Sequence, residues 1–528
     1  MDRPAKTKSF RSTVYSSKGM CATSQPLATL TGIEILKHGG SAADAAIGML
    51  NTLTVVEPFM TGLGGDMFGL YFNAEKNELV GLNASGPAPM GLNMEIVKSK
   101  GFHSMPLYGP MTITVPGALA GLDAFHKKFG KIAWEDLFQD AIAHAEMGFP
   151  VPEIISYHWQ AEEQLLKQYK ETADIYLRGG KAPRPGEIFI NKPLASTLKM
   201  VASEGIDTFY KGELSQKICR PLLAKGSFLT PQDLYQFQPE WVDPISINYE
   251  GRDIFELPPN SQGITVLEML RLIDGFDLRR MGLNTSDYIH ALVEAKKFAF
   301  HDRDSLIGDP RYIAGDFNQL LSNRNIDSFK KRYNPNRASD FRNNLIHSAT
   351  VYVTAVDQNR NAASFISSIF EHFGSGLVAG ETGILMQNRG SLFTLIENHP
   401  NCLHPGKRPL HTIIPSIVFK DGKPEFVFGL MGGHMQPQGH VQILNNLYVF
   451  GLGVQEASDQ PRFFHDGLEL CLESSFSSEV RRELIEKGHK LNDQVGVFGG
   501  FQGIWIDHHN GALIGGSDLR KDGCAIGY

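Results

Sequence analysis

Several features that mark other protein classes are sparse or missing in this sequence of 528 residues. It has only five cysteines, without metal-like spacing, so we expect a reducing compartment rather than a disulfide framework. No stretch reaches the ~18 consecutive apolar residues that a membrane-spanning helix needs. The basic N-terminus is not followed by an apolar run, so no secretory signal is predicted. These absences predict a cytoplasmic protein that has no membrane partner.

Positive charge is also not concentrated anywhere in the sequence. The net charge is −7 and no run is dense in lysine and arginine, so nucleic acid is not an expected partner. There is no Walker loop, no Gly-x-Ser-x-Gly elbow and no His-Glu-x-x-His pair. A helix predicted over residues 286–303 carries His290 and Glu294, which we interpret as a solvated face rather than a metal site. We therefore predict neither a metal nor a cofactor.

Glycine is abundant, with 54 residues gathered in short runs that suggest close backbone approaches. The run at residues 62–65 follows a helix-like stretch and precedes a strand, so it predicts a tight turn rather than a dinucleotide loop. Gly432 and Gly433 follow a predicted strand over residues 426–430. Successive glycines there allow backbone N–H groups to approach a ligand closely, as an oxyanion hole requires.

The stretch around Thr350 has the pattern of a β-hairpin. Apolar and polar side chains alternate over residues 350–355, residues 357–361 have turn chemistry, and residues 362–370 form the predicted return strand. The segment at residues 332–347 is polar and weakly periodic, which predicts an exposed segment directly before Ser348. A cut before Thr350 would give this residue a free amine able to act as base to its own hydroxyl.

The predicted elements change from helical to mostly β at Thr350. Further hairpins are predicted around residues 421–422 and 510–511, and strands alternating with helices indicate sheets covered by helices. Residues 41–44 have the form of a capping box, which starts a helix. Other predicted helices, the first two ended by glycines suited to a left-handed C-cap, cover residues 117–129, 134–147, 153–169, 194–204, 213–224, 264–274, 440–450 and 478–488.

Short motifs occur in one order along nearly the whole chain. They lie at residues 39–46, 57–58, 62–66, 115–117, 257–263, 302–303, 308–310, 373–376, 407–410, 432–433, 457–463 and 516–518. Together they resemble the γ-glutamyltransferase family of proenzymes, within the N-terminal-nucleophile hydrolases.

The resemblance implies an α+β fold, a four-layer αββα sandwich, made as one chain that cleaves itself between Ala349 and Thr350. The products would be a large fragment, residues 1–349, and a small catalytic fragment, residues 350–528, which stay interleaved as a heterodimer able to dimerise further. The site residues that the resemblance implies are Thr350 as nucleophile with Ser368 beside it, and Gly432 and Gly433 as oxyanion hole. The candidate substrate-binding residues are Arg389, His411 and Thr412, which lie in the segments where the family binds its substrate.

The sequence departs from well-studied members where they bind the glutamyl group. Ser85 stands where an arginine receives the α-carboxylate, and residues 388–393 lack the acid that binds the α-amine. His411 and Thr412 replace a serine pair, and residues 393–408 are too few for a lid loop. The pattern is closer to a lid-less intracellular branch that includes oxamate amidohydrolases and resembles cephalosporin acylases.

Three functions stay open. The first is a self-processing threonine hydrolase or acyltransferase that cleaves γ-glutamyl amides of the glutathione type and passes the acyl group to water or an amine. The second is an amidohydrolase for a non-glutamyl acid amide such as oxamate, or for a β-lactam side chain. The third is a non-catalytic relative that keeps the fold for binding.

Overall fold

The computed structural model describes residues 10–340, 349–494 and 496–528. Residues 332–340 are mostly exposed, as predicted, whereas the rest of that segment, residues 341–347, and Ser348 lie outside the described residues. Among the described helices, none combines the length and the apolar character that a bilayer crossing requires.

Most of the strands belong to two seven-stranded sheets. In chain order the strands are β1 (Val14–Ser16), β2 (Met20–Thr23), β3 (Asp66–Asn73), β4 (Glu78–Ala84), β5 (Phe149–Pro150), β6 (Ile188–Phe189), β7 (Glu240–Val242), β8 (Ile245–Tyr249), β9 (Arg252–Glu256), β10 (Ala349–Val356), β11 (Ala362–Phe370), β12 (Pro415–Lys420), β13 (Lys423–Met431), β14 (Phe463–Asp466), β15 (Glu469–Leu472), β16 (Lys490–Asn492), β17 (Gly500–Asp507), β18 (Ala512–Ser517) and β19 (Cys524–Gly527).

The helices cover the sheets and fill the connections between them. They are α1 (Pro26–Lys37), α2 (Ala42–Val56), α3 (Met94–Ser99), α4 (Ala118–Phe129), α5 (Gln139–Met147), α6 (Glu153–Ala161), α7 (Glu163–Leu166), α8 (Lys170–Tyr176), α9 (Lys192–Glu204), α10 (Asp207–Tyr210), α11 (Glu213–Ala224), α12 (Pro231–Gln236), α13 (Gly263–Ile273), α14 (Leu278–Met281), α15 (Ser286–Leu306), α16 (Asn323–Arg332), α17 (Met435–Leu444), α18 (Val454–Asp459) and α19 (Ser478–Glu486).

Both large sheets are antiparallel throughout. The first has the strand order β1-β18-β17-β13-β12-β9-β8, and the second has the order β19-β2-β10-β11-β3-β4-β7. The predicted hairpin β10–β11 is therefore central in the second sheet, between β2 and β3. Chain segments from both sides of the Ala349–Thr350 bond contribute strands to each sheet.

Three apolar cores define four layers. Phe68 and Tyr352 from the second sheet pack with Val427 and Ile504 from the first, which fills the space between the sheets. A second core joins the outer face of the second sheet to helices that include α2 and α4. A third joins the first sheet to helices that include α13, α15 and α17. The arrangement confirms the predicted αββα sandwich.

Local signals placed several elements correctly. Ser41 and Asp44 form the predicted reciprocal capping box at the start of α2. The hairpin turns at residues 421–422 and 510–511 are present between β12 and β13 and between β17 and β18. The helix predicted over residues 134–147 is instead a 3₁₀ turn, Trp134–Phe138, followed by α5. The helix predicted over residues 153–169 is divided into α6 and α7.

Candidate active site

The bond between Ala349 and Thr350 lies at a β-bulge. Ala349 pairs with Phe370 and Val351 pairs with Ser367, so two residues of β11 lie opposite Thr350 alone. Bulges re-aim side chains and are common beside active sites. Thr350 is fully buried in the intact chain. The hairpin thus presents the predicted nucleophile on an irregular, dry stretch of an otherwise regular sheet.

The Ser368 hydroxyl contacts the carbonyl group of the predicted cleavage bond. Its Oγ lies 2.6 Å from the Ala349 carbonyl oxygen. The same Oγ accepts hydrogen bonds from the Phe370 backbone N–H at 2.8 Å and from the Arg389 guanidinium at 2.9 Å. Because two donors already point at this oxygen, its own hydrogen is directed to the Ala349 carbonyl oxygen, which it polarises.

Arg389 links Ser368 to a second predicted residue. One guanidinium nitrogen donates to Ser368 Oγ, and the other donates to Thr412 Oγ1 at 2.9 Å. The guanidinium carbon also lies 4.5 Å from the centre of the Phe370 ring. The side chain is fully buried, and burial lowers its pKa to about 9. It therefore remains protonated at neutral pH and places a fixed positive charge behind the Ser368 hydroxyl.

Asp66 balances this buried charge. Its carboxylate accepts from the Gly86 and Gly117 backbone N–H groups at 3.0 and 3.2 Å and lies 3.1 Å from His411 Nε2. Burial raises the pKa of Asp66 to about 7, and Arg389 opposes that rise. Burial, together with Arg389, holds the pKa of His411 well below its usual range, so its ring is neutral and donates Nε2–H to Asp66.

Gln436 contacts the Thr350 side chain directly. Its amide oxygen accepts from the Ile414 backbone N–H at 3.0 Å, which turns its NH₂ group toward Thr350 Oγ1 at 3.4 Å. Its own backbone N–H donates to the Gly433 carbonyl at 3.1 Å. The start of α17 therefore holds the predicted oxyanion glycines and the predicted nucleophile in one hydrogen-bonded unit.

The two predicted oxyanion glycines adopt backbone conformations that other residues rarely take. Gly432 has φ 116° and Gly433 has φ 55°. The Gly433 carbonyl accepts from the Gln262 side chain at 3.0 Å, which fixes the peptide plane. Neither glycine N–H donates to another of the described residues, so both are available to a ligand.

A cavity of about 300 Å³ opens beside these glycines, and we call it the Gly432 cavity. Thr350 is not part of its wall in the intact chain. A larger cavity of about 490 Å³ lies around Lys128 and Trp241 and contains none of the predicted site residues. The walls of the Gly432 cavity include Tyr108, His158, Glu162, Glu371, Gly432 and Lys521.

Ser85, at the position where other members have an arginine, is not exposed to a ligand. It is fully buried, and its hydroxyl donates to Asn83 Oδ1 at 2.7 Å and accepts from Asn260 Nδ2 at 3.1 Å. Its carbonyl accepts from the Arg408 side chain at 2.9 Å. The position has become part of a buried polar network and has no charge to offer a carboxylate.

One cluster of potential metal ligands is found among the described residues. His290 and Glu294 of α15 lie with His489, with one donor atom of each within 4.8 Å of the others. The Glu294 carboxylate is already bound to Lys297 Nζ at 2.9 Å, and His290 contacts the Asn334 carbonyl at 2.8 Å. These contacts tie the segment before residue 341 to α15 and use the groups a metal would need.

The structure brings most of the predicted site residues together, while their roles stay predictions. Sequence reasoning missed Asp66, Gln436, Glu371 and Lys521. Asp66 lies inside the motif at residues 62–66, and Gln436 comes shortly after the glycine pair at residues 432–433. For Glu371 and Lys521 no signal was visible, because only their tertiary surroundings distinguish them from surface charges.

The chain is similar to known proteins over nearly its whole length. The family model described as "Gamma-glutamyltranspeptidase" matches residues 28–528. The chain is 37% identical over 527 residues to the glutathione hydrolase-like YwrD proenzyme of Bacillus subtilis, covering 97% of this chain and 99% of that protein. It is 32% identical to the oxamate amidohydrolase proenzyme of Klebsiella pneumoniae, covering 98% and 100%.

A solved structure extends the similarity to three dimensions. The crystal structure of a cephalosporin acylase from Bacillus halodurans superposes with a TM-score of 0.93 at 40% identity, covering 100% of this chain and 99% of that one. The family match spans almost the whole chain, and the fold agrees with it. The chain belongs to the gamma-glutamyltranspeptidase family.

Proposed function

We propose that this protein is a self-processing amide hydrolase whose nucleophile is Thr350. The observation that carries the proposal is the Ser368 hydroxyl on the Ala349 carbonyl oxygen, at a bulge that isolates Thr350 from the regular ladder. A polarised carbonyl on the residue directly before a buried threonine is the ground-state arrangement that an intramolecular acyl shift needs.

Self-cleavage then follows in balanced steps. Thr350 Oγ attacks the carbonyl carbon of Ala349, and the new C–O bond forms as the C–N bond between the two residues breaks. The hydroxyl proton passes to the leaving nitrogen, which becomes the α-amine of Thr350. Water hydrolyses the resulting ester, leaving a carboxylate on Ala349 and a free hydroxyl on Thr350.

Turnover uses the same hydroxyl on an external amide. The freed α-amine of Thr350, with an ordinary pKa near ~7.7–8.0, accepts the hydroxyl proton. The Gly432 and Gly433 N–H groups stabilise the oxyanion, where one lost donor typically costs roughly 2.7–4 kcal/mol. The α-amine returns that proton to the donor's nitrogen as the amide C–N bond breaks and the amine departs. The acyl group, now an ester on Thr350, then passes to water or to an acceptor amine, which restores the Thr350 hydroxyl. Arg389, His411 and Thr412 remain the proposed substrate-binding residues; in the intact chain all three are fully buried, as Thr350 is, and Arg389 also donates to Ser368.

A γ-glutamyl amide of the glutathione type is the proposed substrate, in line with the glutathione hydrolase-like relative. A second candidate is a small non-glutamyl acid amide such as oxamate, or a β-lactam side chain. One support is Ser85, which stands where other members have an arginine and is instead hydrogen-bonded to the buried Asn83 side chain. The other is the similarity to an oxamate amidohydrolase and a cephalosporin acylase.

The fragments 1–349 and 350–528 are proposed to remain one heterodimer after cleavage. The small fragment supplies β10 and β11 to the centre of one sheet and β12, β13, β17 and β18 to the other, so separation would expose both cores. The five free cysteines fit a cytoplasmic location. The heterodimer is also proposed to pair with a second copy of itself.

The test uses processed enzyme and two donors. We expect release of nitroaniline from γ-glutamyl-p-nitroanilide by the wild type and none by Thr350→Ala, which also stays uncut. Ammonia release from oxamate without nitroaniline release supports the second candidate. Cleaved enzyme that is inactive on both donors and on a β-lactam side-chain amide contradicts the catalytic proposal and leaves the binding relative.

A further inference from the structure

The Gly432 cavity exposes two ionisable groups that the protein itself does not engage. Lys521 is 9% exposed and Glu371 is 7% exposed, and both line the cavity together with Gly432. Among the described residues, neither the Lys521 ammonium nor the Glu371 carboxyl group has a hydrogen-bond or ion-pair partner. Nearly buried ionisable groups without hydrogen-bond partners are costly, so a ligand is the natural partner for both.

Lys521 is held at the cavity by its backbone and its stem. Its backbone N–H donates to the Asp518 carbonyl, and the Asp518 carboxylate is fixed by Arg462 at 2.6 Å and by Arg520 at 3.0 Å. The aliphatic stem crosses Gly500, where an added Cβ would lie 2.5 Å from Lys521 Cγ. The stem is therefore closely packed against Gly500, and the residue lines the cavity.

Nearby acids could make Lys521 a structural counter-ion, but that role does not account for an ammonium group without a contact in the described ranges of the chain. Burial lowers its pKa, while Glu57, Asp518 and Asp522 oppose that effect. Glu57 has the largest opposing effect of the three, but its carboxylate accepts from the Ser24 hydroxyl at 2.5 Å and does not contact the Lys521 ammonium group. These acids partly offset the effect of burial on the pKa of Lys521 and do not contact its ammonium group.

Glu371 is placed by an unusual backbone turn at the end of β11. Phe370 has φ 79°, a left-handed conformation that a phenylalanine rarely adopts. The turn lets Ser368 lie toward Thr350 and Glu371 toward the cavity, and the Glu371 backbone N–H is anchored on Asn388 Oδ1 at 2.9 Å. The neighbouring acid Glu162 already has a partner, since it lies 3.4 Å from His372.

We propose that the Gly432 cavity binds the zwitterionic end of an α-amino-acid acyl donor, with its carboxylate on Lys521 and its ammonium group on Glu371. One cationic and one acidic group in a single cavity match such an end group, whereas a simple acid would leave Glu371 unused. The volume of about 300 Å³ is at the small end of ligand sites, which suits a glutamyl-sized group. This inference rests on the proposed function and assigns its acyl specificity to residues other than the missing arginine and acid.

The test compares three p-nitroanilides that differ only at the end group. γ-Glutamyl-p-nitroanilide carries both charges, glutaryl-p-nitroanilide lacks the amine, and 4-aminobutyryl-p-nitroanilide lacks the carboxylate. For the wild type we expect kcat/KM for the γ-glutamyl donor to exceed that of each of the others about 10- to 100-fold, the usual effect of one charge-assisted contact. This comparison needs no variant, so it stands even if a variant misfolds.

Two variants assign the contacts. Lys521→Met should lower kcat/KM about 10- to 100-fold for the γ-glutamyl and glutaryl donors, mainly through KM, and leave the 4-aminobutyryl donor unchanged. Glu371→Gln should weaken the γ-glutamyl and 4-aminobutyryl donors and spare the glutaryl donor, and Glu371→Asp should restore part of the loss. Lys128→Met and Asp123→Asn, which change charges at the larger cavity, are matched controls for which no donor should change.

The outcomes separate this inference from the proposed function. Self-processing on a gel reports the nucleophile independently of the donors. Enzyme that processes itself and cleaves all three donors with similar kcat/KM contradicts the inference alone, as does a uniform loss for all donors in Lys521→Met and Glu371→Gln. Enzyme that remains uncut and inactive contradicts both.

Discussion

The polar groups around the Ala349–Thr350 bond and those on the wall of the Gly432 cavity are similarly buried, yet they are satisfied very differently. Beside the bond, the Ser368 hydroxyl has three partners and the Arg389 guanidinium has two. On the cavity wall, Lys521 and Glu371 have none among the described residues. The groups beside the bond are therefore engaged mainly within the fold, although Arg389 Nε has no hydrogen-bond partner in the described part of the chain, and the two cavity groups fit the proposal that a ligand binds there.

The largest change in the free energy of unfolding is expected for substitution of Arg389. Arg389→Met, made in the uncut Thr350→Ala chain, should lower the free energy of unfolding by about 3–5 kcal/mol, because it leaves the Asp66 carboxylate buried without its cation. Urea denaturation measures this. Arg252→Met breaks a more exposed pair with Glu425 and should cost no more than about 1 kcal/mol. Equal losses for the two variants would contradict the comparison.

Ser368 should show the next largest effect, on the rate of self-cleavage. Ser368→Ala removes the donor on the Ala349 carbonyl and should slow the appearance of the two fragments on a denaturing gel roughly 10²- to 10³-fold. Ser368→Thr keeps the hydroxyl and should recover most of the rate. Ser364 lies on the same strand as Ser368, and its hydroxyl contacts Tyr352 of the neighbouring strand β10. Ser364→Ala is therefore the control, which is expected to process normally. Unchanged cleavage in Ser368→Ala would remove the basis of the proposed chemistry.

A pH effect is expected at the recognition end. Burial, followed by repulsion from Glu162, raises the pKa of Glu371 to about 8, while Arg389 opposes the rise. His158, His372, Tyr108 and Lys521 also face this cavity.

A raised pKa means that Glu371 is mostly neutral below pH 8 and gains its charge as the pH rises. The kcat/KM ratio of the γ-glutamyl to the glutaryl donor should therefore increase roughly fivefold between pH 7 and 8 as the carboxylate forms. Taking the ratio cancels the titration of the Thr350 amine, which serves both donors. A flat ratio in the wild type, or the same rise in Glu371→Gln, would count against the assigned contact.

The smallest effect should be that of Lys521→Met on stability. No contact of the ammonium group is lost, and a desolvated charge is removed, so the free energy of unfolding should stay within about 0.5–1 kcal/mol of the wild type or increase. Urea denaturation in the Thr350→Ala background tests this. A loss comparable with that of Arg389→Met would show that the ammonium group has a structural partner after all.

Much of the fold followed from local patterns, and the failures have identifiable tertiary causes. The helix predicted over residues 153–169 divides after Ala161, where the Glu163 carboxylate accepts from the Ala182 backbone N–H at 3.0 Å and lies near Lys181. Such partners from another segment leave no periodic signal in the sequence.

The glycine that ends α4 also has a different role from the one predicted. Gly130 has φ −68° rather than a left-handed conformation. An added Cβ there would lie 2.5 Å from the His126 ring, so the position requires a small residue for close packing. Gly148, after α5, does have a positive φ of 90°. Glycine is therefore required at the first helix end for close packing and at the second for a positive φ.

The sequence indicated some residues of the candidate site and gave no signal for others. The hairpin that carries Thr350 was visible in its alternation and its turn, and the family resemblance indicated Ser368, Arg389 and the glycine pair. Glu371 and Lys521 could not be found that way, because what distinguishes them is the lack of a partner, which only tertiary structure reveals. Sequence patterns therefore located the chemistry better than the specificity.

The most direct test of the central claim is mass spectrometry of the purified chain after incubation, beside Thr350→Ala treated identically. The account predicts two polypeptides, residues 1–349 and 350–528, with Thr350 as the new N-terminus, and a single uncut chain of 58.4 kDa for the variant. An intact wild-type chain after prolonged incubation, a cut at another bond, or cleavage of Thr350→Ala at the wild-type rate would contradict it.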